Sequence, residues 1–428
     1  MTDNRTRSAP HPLILTLEQH PGGDFQGNDS IAIQAGLDYL HRLGGGTLQL
    51  GPGVYVLRNT IYLRSRVNLR GAGDATVLRK DAGHCTQLTR DADWYENEVE
   101  VQDPTGFSVG GGIMVTQNFD GQLHLVKDTV VGIGGRTLYL SRRLDRDAWP
   151  RYGATAAAAF ALLTGIGERG QNGGTGDAGV RDTVSDCAVS DLVLDGNSAE
   201  NPLEVMSAAS DGNYAGAVFL QHAHRITFSG VTAQNYNGDG YSFQVCDDIS
   251  FHRCKALNNA NLGFHPGSGS QRPIFRDCVA SGNAQGIFFC WGVADGIVER
   301  CVCSNNRDYG ITIGHRDTDN RISECTISNN GKVGILCGRP ECEYEFFGAH
   351  RNVIERCTFS GNGAMDSHAA LQVLQRTHDV VVRGCAFEGC DAQRTAIQLG
   401  SVAKGSCTLD GNQFSDRLHY EVEYLSVL

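Results

Sequence analysis

At 428 residues the chain exceeds the usual size of one compact domain, although a solenoid grows by stacking and reaches this length as a single body. A formal net charge of −12 argues against nucleic acid as a partner, and against a strongly polyanionic ligand unless the site is locally basic. No apolar run approaches transmembrane length, and the short one in MTDNRTRSAPHPLILTLEQH is too brief for a signal-peptide core.

Residues 1–80 read as a cap and first coils. Asn28-Asp29-Ser30 offers an N-cap before IAIQAGLDYLHRL, where Ile33, Leu37 and Leu40 share one helical face, and Gly44-Gly45-Gly46 ends the helix. That helix would cover the open first coil, and GTLQLGPGVYVLRNTIYLRSRVNLRGAG then alternates strands with glycine turns. Residues 81–165 break the pattern: NEVEVQDPTGFSVGGGIMVTQN and HLVKDTVVGIGGRTLYLSRRL predict hairpins of a small inserted β subdomain. Residues 166–428 carry the repeat.

Two ladders define that repeat. Cys254, Cys278, Cys301 and Cys325 are 24, 23 and 24 residues apart, with Cys357 and Cys385 beyond, each after a β-branched run and before a turn. Gly216, Gly240, Gly263, Gly286, Gly310 and Gly334 recur at 24, 23, 23, 24 and 24, and each opens an alternating strand: GAVFLQ, GYSFQV, GFHPGS, GIFFCW, GITIGH, GILCGR. Such a period marks stacked repeats, with Asn-rich turns suited to a repeated corner. The chain is therefore predicted to be all-β, a right-handed parallel β-helix with an N-terminal capping helix and the inserted subdomain, its coils about 4.8 Å apart. Counting in twos from each glycine, the first and third residues point inward: Tyr241 and Phe243, Phe264 and Pro266, Ile287 and Phe289, Ile311 and Ile313. The cysteines pack as an interior stack; with 15 of them, an odd number, and no CxxC pair, neither a disulfide framework nor a metal site is indicated. Reduced thiols and the absence of a leader favour the cytoplasm.

The segment GGDFQGNDSIAIQAGLDYLHRLGGGTLQLGPGVYVL resembles the opening of the pectin lyase-like superfamily, and DGYSFQVCDD, GFHPGSGSQRP, GIFFCWGV and GITIGHRDTDN are similar to bacterial right-handed parallel β-helix repeat proteins. The resemblance implies carbohydrate handling in several chemistries: polysaccharide lyases, glycoside hydrolases, uronate epimerases, fructan-cyclising transferases and noncatalytic phage spikes. Asp239 in NYNGDGYSFQ resembles the Asn-Thr-Asp-Gly element of polygalacturonases. Where that family continues with Asp-Asp, Gly-His-Gly and Arg-Ile-Lys, this chain has Asn261-Leu262, Tyr309-Gly310-Ile311 and only a nearby Arg321-Ile322.

Outward positions of successive coils form a face on which a sugar chain can lie. Fifth after the glycine come Ser268, Trp291, His315 and Arg339. Seventh come Asp317 and Glu341, whose carboxyls would be roughly 5 Å apart, the separation used by retaining glycosidases. The leading expectation is a glycoside hydrolase or transglycosylase acting on an oligosaccharide or polysaccharide. Its catalytic candidates are Asp317, Glu341, Asp239 and His315, with Trp291 stacking on a sugar ring and Arg316 and Arg339 nearby. His265, outward and one coil from Trp291, and Gln244 and Gln271 are further substrate-binding candidates. No metal or cofactor is called for. The runner-up is a uronate lyase or epimerase with His315, Arg316 and Arg339 at the proton transfer and Ca²⁺ held by acidic loops; against it stands the scarcity of lysine, Lys332 alone between Lys255 and Lys404. A third reading is a noncatalytic sugar-binding module. The plainer alternative for GHRDTDN and GRPECEYE is solvated polar loops. No membrane partner is expected, and a homo-oligomer is left open.

Overall fold

The computed structural model describes residues 13–165, 183–201, 216–338, 348–365, 368–374, 376–390, 393–400 and 407–425. The helix forms at Ser30–Arg42: Asp29 caps it by accepting the Ala32 amide, and Ile33, Leu37 and Leu40 are buried against the first coils. Among the described residues no helix is long and apolar enough to cross a membrane.

A middle coil consists of three short strands, for example Ser250–His252, Lys255–Leu257 and Leu262–Gly267. The first two kinds belong to one sheet of 22 strands, the third kind to a second sheet of 11 strands, and every pairing within both sheets is parallel. The inward rows are as the alternation predicts: Tyr241, Phe243, Phe264, Ile287, Phe289, Ile311 and Ile313 are all at most 1% exposed. Stacking coils places like on like, so rings pile face to face at the coil spacing: Phe228, Phe251 and Phe275 at 5.1 and 5.2 Å, Tyr241 and Phe264 at 4.8 Å. Each fully buried Phe contributes roughly 1.5–3 kcal/mol, before the gain from ring geometry.

The cysteine ladder lies inside. Cys254, Cys278, Cys301, Cys325, Cys357 and Cys385 are at most 1% exposed, and their thiols donate to carbonyls of their own or the preceding coil. The asparagine turns hold a second interior ladder. Each side-chain amide of Asn259, Asn283, Asn306 and Asn330 donates to the next coil's asparagine oxygen, at 3.0, 3.3, 2.9 and 2.9 Å, and Gln393 continues the row beyond Asn362. The periodic glycines are required by close approach: a Cβ on Gly240 would sit 2.7 Å from the Gly263 carbonyl oxygen, and one on Gly310 2.6 Å from that of Gly334.

Strands Cys85–Gln87, Glu98–Glu100, Gly112–Phe119, Gln122–Gly134, Thr137–Leu140 and Thr155–Ala157 form a separate six-stranded antiparallel sheet around a core of its own, including Val99, Ile113, Val130, Leu138 and Ala156. This insert is tied to the helix before Ile61–Tyr62: the Gly112 amide donates to the Arg58 carbonyl at 2.7 Å, and Asn59 Nδ2 to Thr129 Oγ1 at 2.9 Å.

Candidate active site

The 11-stranded sheet turns one face away from the core. In coil order its outward row reads Tyr62, Thr164, Phe219, Ser242, His265, Phe288, Thr312, Leu336, Gln372, Gln398 and Glu423. A second row, just before the glycines, holds Asp239, Leu262, Gln285 and Tyr309. Parallel register sets Asp239 one coil before His265, and the strand pitch brings their side chains together.

His265 Nδ1 donates to Asp239 Oδ2 at 2.7 Å, while Asp239 Oδ1 accepts the Leu262 amide at 3.0 Å. Both side chains are buried, at 3% and 0% exposure. Ser242 Oγ lies 3.4 Å from the same ring nitrogen and accepts from Gln244 Nε2 at 3.3 Å; Phe288 flanks the imidazole with ring centroids 5.6 Å apart. A carboxylate only accepts, so Asp239 fixes the ring hydrogen at Nδ1 and leaves the lone pair of the neutral ring at Nε2. That nitrogen has no hydrogen-bond partner, nor has Gln244 Oε1, nor Asn237 Nδ2 two residues before Asp239, and all three atoms are buried. An unsatisfied buried polar atom costs about 1–3 kcal/mol, and two of these, His265 Nε2 and Gln244 Oε1, sit on paired neighbouring strands and are both acceptors that a ligand's donors would satisfy.

Trp291, 51% exposed, and His315 meet at the corner after this sheet with ring centroids 5.2 Å apart. Backbone bonds from Gly269 to Trp291 and from Gly292 to His315 align the corner from coil to coil. Trp291 and Arg316 have positive φ, but so do Asp248, Arg272, Asp295 and Asp319, so the left-handed residue is a repeated corner device and no sign of local strain. Gln271 spans two turns of that corner, its Nε2 donating to the Gly269 and Gly292 carbonyls at 2.9 and 3.0 Å, which commits it to the scaffold.

Asp317 requires a correction. Expected on an outward loop, it is fully buried: its carboxylate accepts the Val293 amide and the Gly314 amide, both at 2.8 Å. The strand ends at Ile313, so alternation no longer governs where residue 317 points, and the turn folds the acid inward to satisfy two backbone donors. Glu341 and Arg339 lie outside the described residues. The structure thus joins Asp239, His265 and Gln244, joins Trp291 and His315 separately, and removes Asp317 from the surface. Ser242, Asn237 and Phe288 escaped the sequence reading, although the same register count that places His265 outward also places Ser242 and Phe288 beside it.

The insert contributes Lys127 to the same face. Its ammonium lies 5.9 Å over the Phe219 ring, and burial pulls its pKa down to about 8. Among the described residues no group of three or more His, Cys, Asp or Glu is arranged to hold a metal ion.

The family model described as "Right handed beta helix region" matches residues 176–294, 216–339 and 289–420. No curated protein matches by sequence. Among solved structures, the A-module of Azotobacter vinelandii mannuronan C-5 epimerase AlgE4 superimposes with a TM-score of 0.54 at 13% identity, over 93% of each chain. The A-module of the AlgE6 epimerase from the same organism gives 0.52 at 15% identity, again over 93% of each. At these identities the likeness is one of fold.

Proposed function

This chain belongs to the right-handed β-helix family, and on that scaffold we propose that it is a carbohydrate-active enzyme in which His265, held by Asp239, transfers a proton to and from a sugar. The observation that carries the reading is the 2.7 Å Asp239–His265 pair with His265 Nε2 and Gln244 Oε1 left unpartnered beneath the outer face. A polyhydroxylated ligand supplies the missing donors, and the Nε2 lone pair is oriented as a general base.

The reaction best matched to one histidine–carboxylate pair is removal of the C5 hydrogen of a uronate. The C–H electrons pass toward the sugar carboxylate and His265 becomes imidazolium, stabilised by Asp239. Return of a proton from the opposite side gives an epimer; departure of the C4 oxygen gives an unsaturated uronate, the leaving oxygen taking up a proton. Lys127 supplies positive charge near the site of an otherwise acidic chain. Paired-carboxylate hydrolysis is less well supported. In the two outward rows the described carboxylates are Asp239 and Glu423, seven strands apart in the sheet and hence roughly 34 Å, against the 5–9.5 Å such chemistry uses. The neighbouring modules named for mannuronan C-5 epimerisation agree with proton transfer in name, but the reading rests on the histidine pair. A cytoplasmic setting goes with it, because the described cysteines are all free thiols.

The test is incubation of mannuronan and polygalacturonate in D₂O, following deuterium at C5 by NMR, unsaturated product by ultraviolet absorbance, and reducing ends. Deuterium uptake or unsaturation that disappears in His265→Ala is expected. Reducing ends formed without either signal would make the enzyme a hydrolase, and a Ca²⁺ requirement would assign charge neutralisation to the ion.

A further inference from the structure

The insert presents a connected strip of aromatic side chains to solvent. Whereas Phe228, Phe251 and Phe275 stack inside the solenoid, Trp94, Tyr95, Phe119 and Tyr152 of the insert are 61%, 54%, 36% and 37% exposed. Contacts link them in order. Trp94 meets Tyr95 edge-on with ring centroids 5.9 Å apart; Tyr95 Oη donates to Asp93 Oδ2 at 3.2 Å, and Trp149 Nε1 donates to Asp93 Oδ1 at 2.9 Å. Trp149 stacks on Tyr152 at 5.9 Å, Tyr152 meets Phe119 edge-on at 4.8 Å, and Phe119 meets His124 at 5.8 Å.

The insert's own backbone holds the strip in place. Ala92 and Ala148 exchange amide bonds at 3.0 and 2.8 Å, and the Trp94 amide donates to Asp147 Oδ1 and the Trp149 amide to Gln117 Oε1, both at 2.9 Å. The two segments that bear tryptophan are thus tied to each other and to the hairpin strand Gly112–Phe119, with Phe119 at the far end of that strand from the joint at Gly112. Arg151 lies over the rings, its guanidinium carbon 4.2 Å from the Trp149 centroid and 5.1 Å from the Tyr152 centroid. Glu96, Glu98 and Asp128 engage Arg90 and Arg142 of the same insert, but Arg151 makes no ion pair among the described residues.

We propose that this strip is a second carbohydrate-binding site, distinct from the His265 face, that holds one stretch of an anionic polysaccharide while another stretch occupies the active site. Pyranose rings have C–H faces that pack on aromatic faces, and their hydroxyls need hydrogen-bonding groups at the ring edges. The strip offers both, with Asp93, Gln117 and His124 among its rings. Arg151 adds an unpaired positive charge for a uronate carboxylate. The chain's net charge of −12 opposes a second copy in this place. The proposal rests on the proton-transfer reading above for its ligand class alone, and adds to it a site of its own. Holding the polymer on the same molecule raises its effective concentration at His265 without any new contact there.

The full chain carrying His265→Ala, which holds the polymers without consuming them, is run by affinity electrophoresis through gels containing mannuronan or polygalacturonate. Adding Trp94→Ala and Tyr152→Ala together is expected to raise Kd about tenfold or more, and Arg151→Glu alone to do the same at low salt, with the melting temperature held because these side chains are exposed. In the chain with His265 intact, neither change should alter the rate of deuterium uptake by short oligouronates, which occupy the active site alone. Polymer affinity unchanged in both the double variant and Arg151→Glu overturns the proposal, while turnover of the oligouronates keeps the reaction. Affinity lost with the aromatic rings, but no turnover of any substrate, keeps the proposal and refutes the reaction. A dimer of the wild-type chain in sedimentation that dissociates in the double variant, with no retardation by either polymer, overturns the proposal in favour of an interface between copies.

Discussion

Asp239→Asn separates a catalytic from a structural role for the buried pair. In the wild type Asp239 Oδ1 accepts the Leu262 amide at 3.0 Å and Oδ2 accepts from His265 Nδ1 at 2.7 Å. Asparagine keeps the first bond through its oxygen but presents an amide donor to Nδ1. The ring answers by accepting there, which moves its hydrogen to Nε2 and fills the lone pair needed for proton abstraction. Loss of a general base is worth about 10²–10⁴-fold in rate. Stability should change far less, by about 1–2 kcal/mol, because a charge-assisted hydrogen bond is exchanged for a neutral one without a cavity. The assays are the rate of C5 deuterium uptake, the ¹⁵N shifts of the His265 ring, which report the tautomer without turnover, and urea unfolding. A variant that keeps both the wild-type tautomer and the wild-type rate refutes the reasoning. A loss of stability above about 4 kcal/mol would instead make Asp239 a turn residue of the scaffold.

Three further outcomes test the scaffold and the sugar face. Asn306→Ala removes the side-chain acceptor of the buried Asn283 backbone amide and the side-chain donor to the Ala280 carbonyl and Asn330 Oδ1, breaking the ladder at its middle, and should cost about 3 kcal/mol in urea unfolding. Burial pushes the Cys187 and Cys246 thiols up to about 12 from 9.0. Their contribution to stability is complete below pH 9 and lost as pH climbs toward 12, since the unfolded thiols ionise first; the urea midpoint should fall across that range, less steeply in Cys246→Ala. Trp291→Ala removes a ring that is half in solvent and tilted against His315, so the melting temperature should hold while KM rises; unchanged KM would take the corner out of the binding face.

The sequence by itself determined the solenoid, its period and its inward rows. A parallel coil stack demands equivalent residues at equivalent places, so Cys254 to Cys385 and Gly216 to Gly334 repeat because each must fit the same slot above its predecessor. Helix capping at Asp29 was legible for the same kind of reason, being local in the chain. Tertiary structure alone decided what lies beyond the strand ends and between the bodies. Alternation holds only while the backbone is extended, so it placed His265 outward correctly yet lost Asp317 four residues past the end of its strand, where two unsatisfied amides drew the carboxylate inward. Asp239 and His265, 26 residues apart, met because their coils stack in one register, and Lys127 reached Phe219 because the insert folds back on the first coils. Contacts of that kind depend on how corners turn and bodies dock, which no period in the chain encodes.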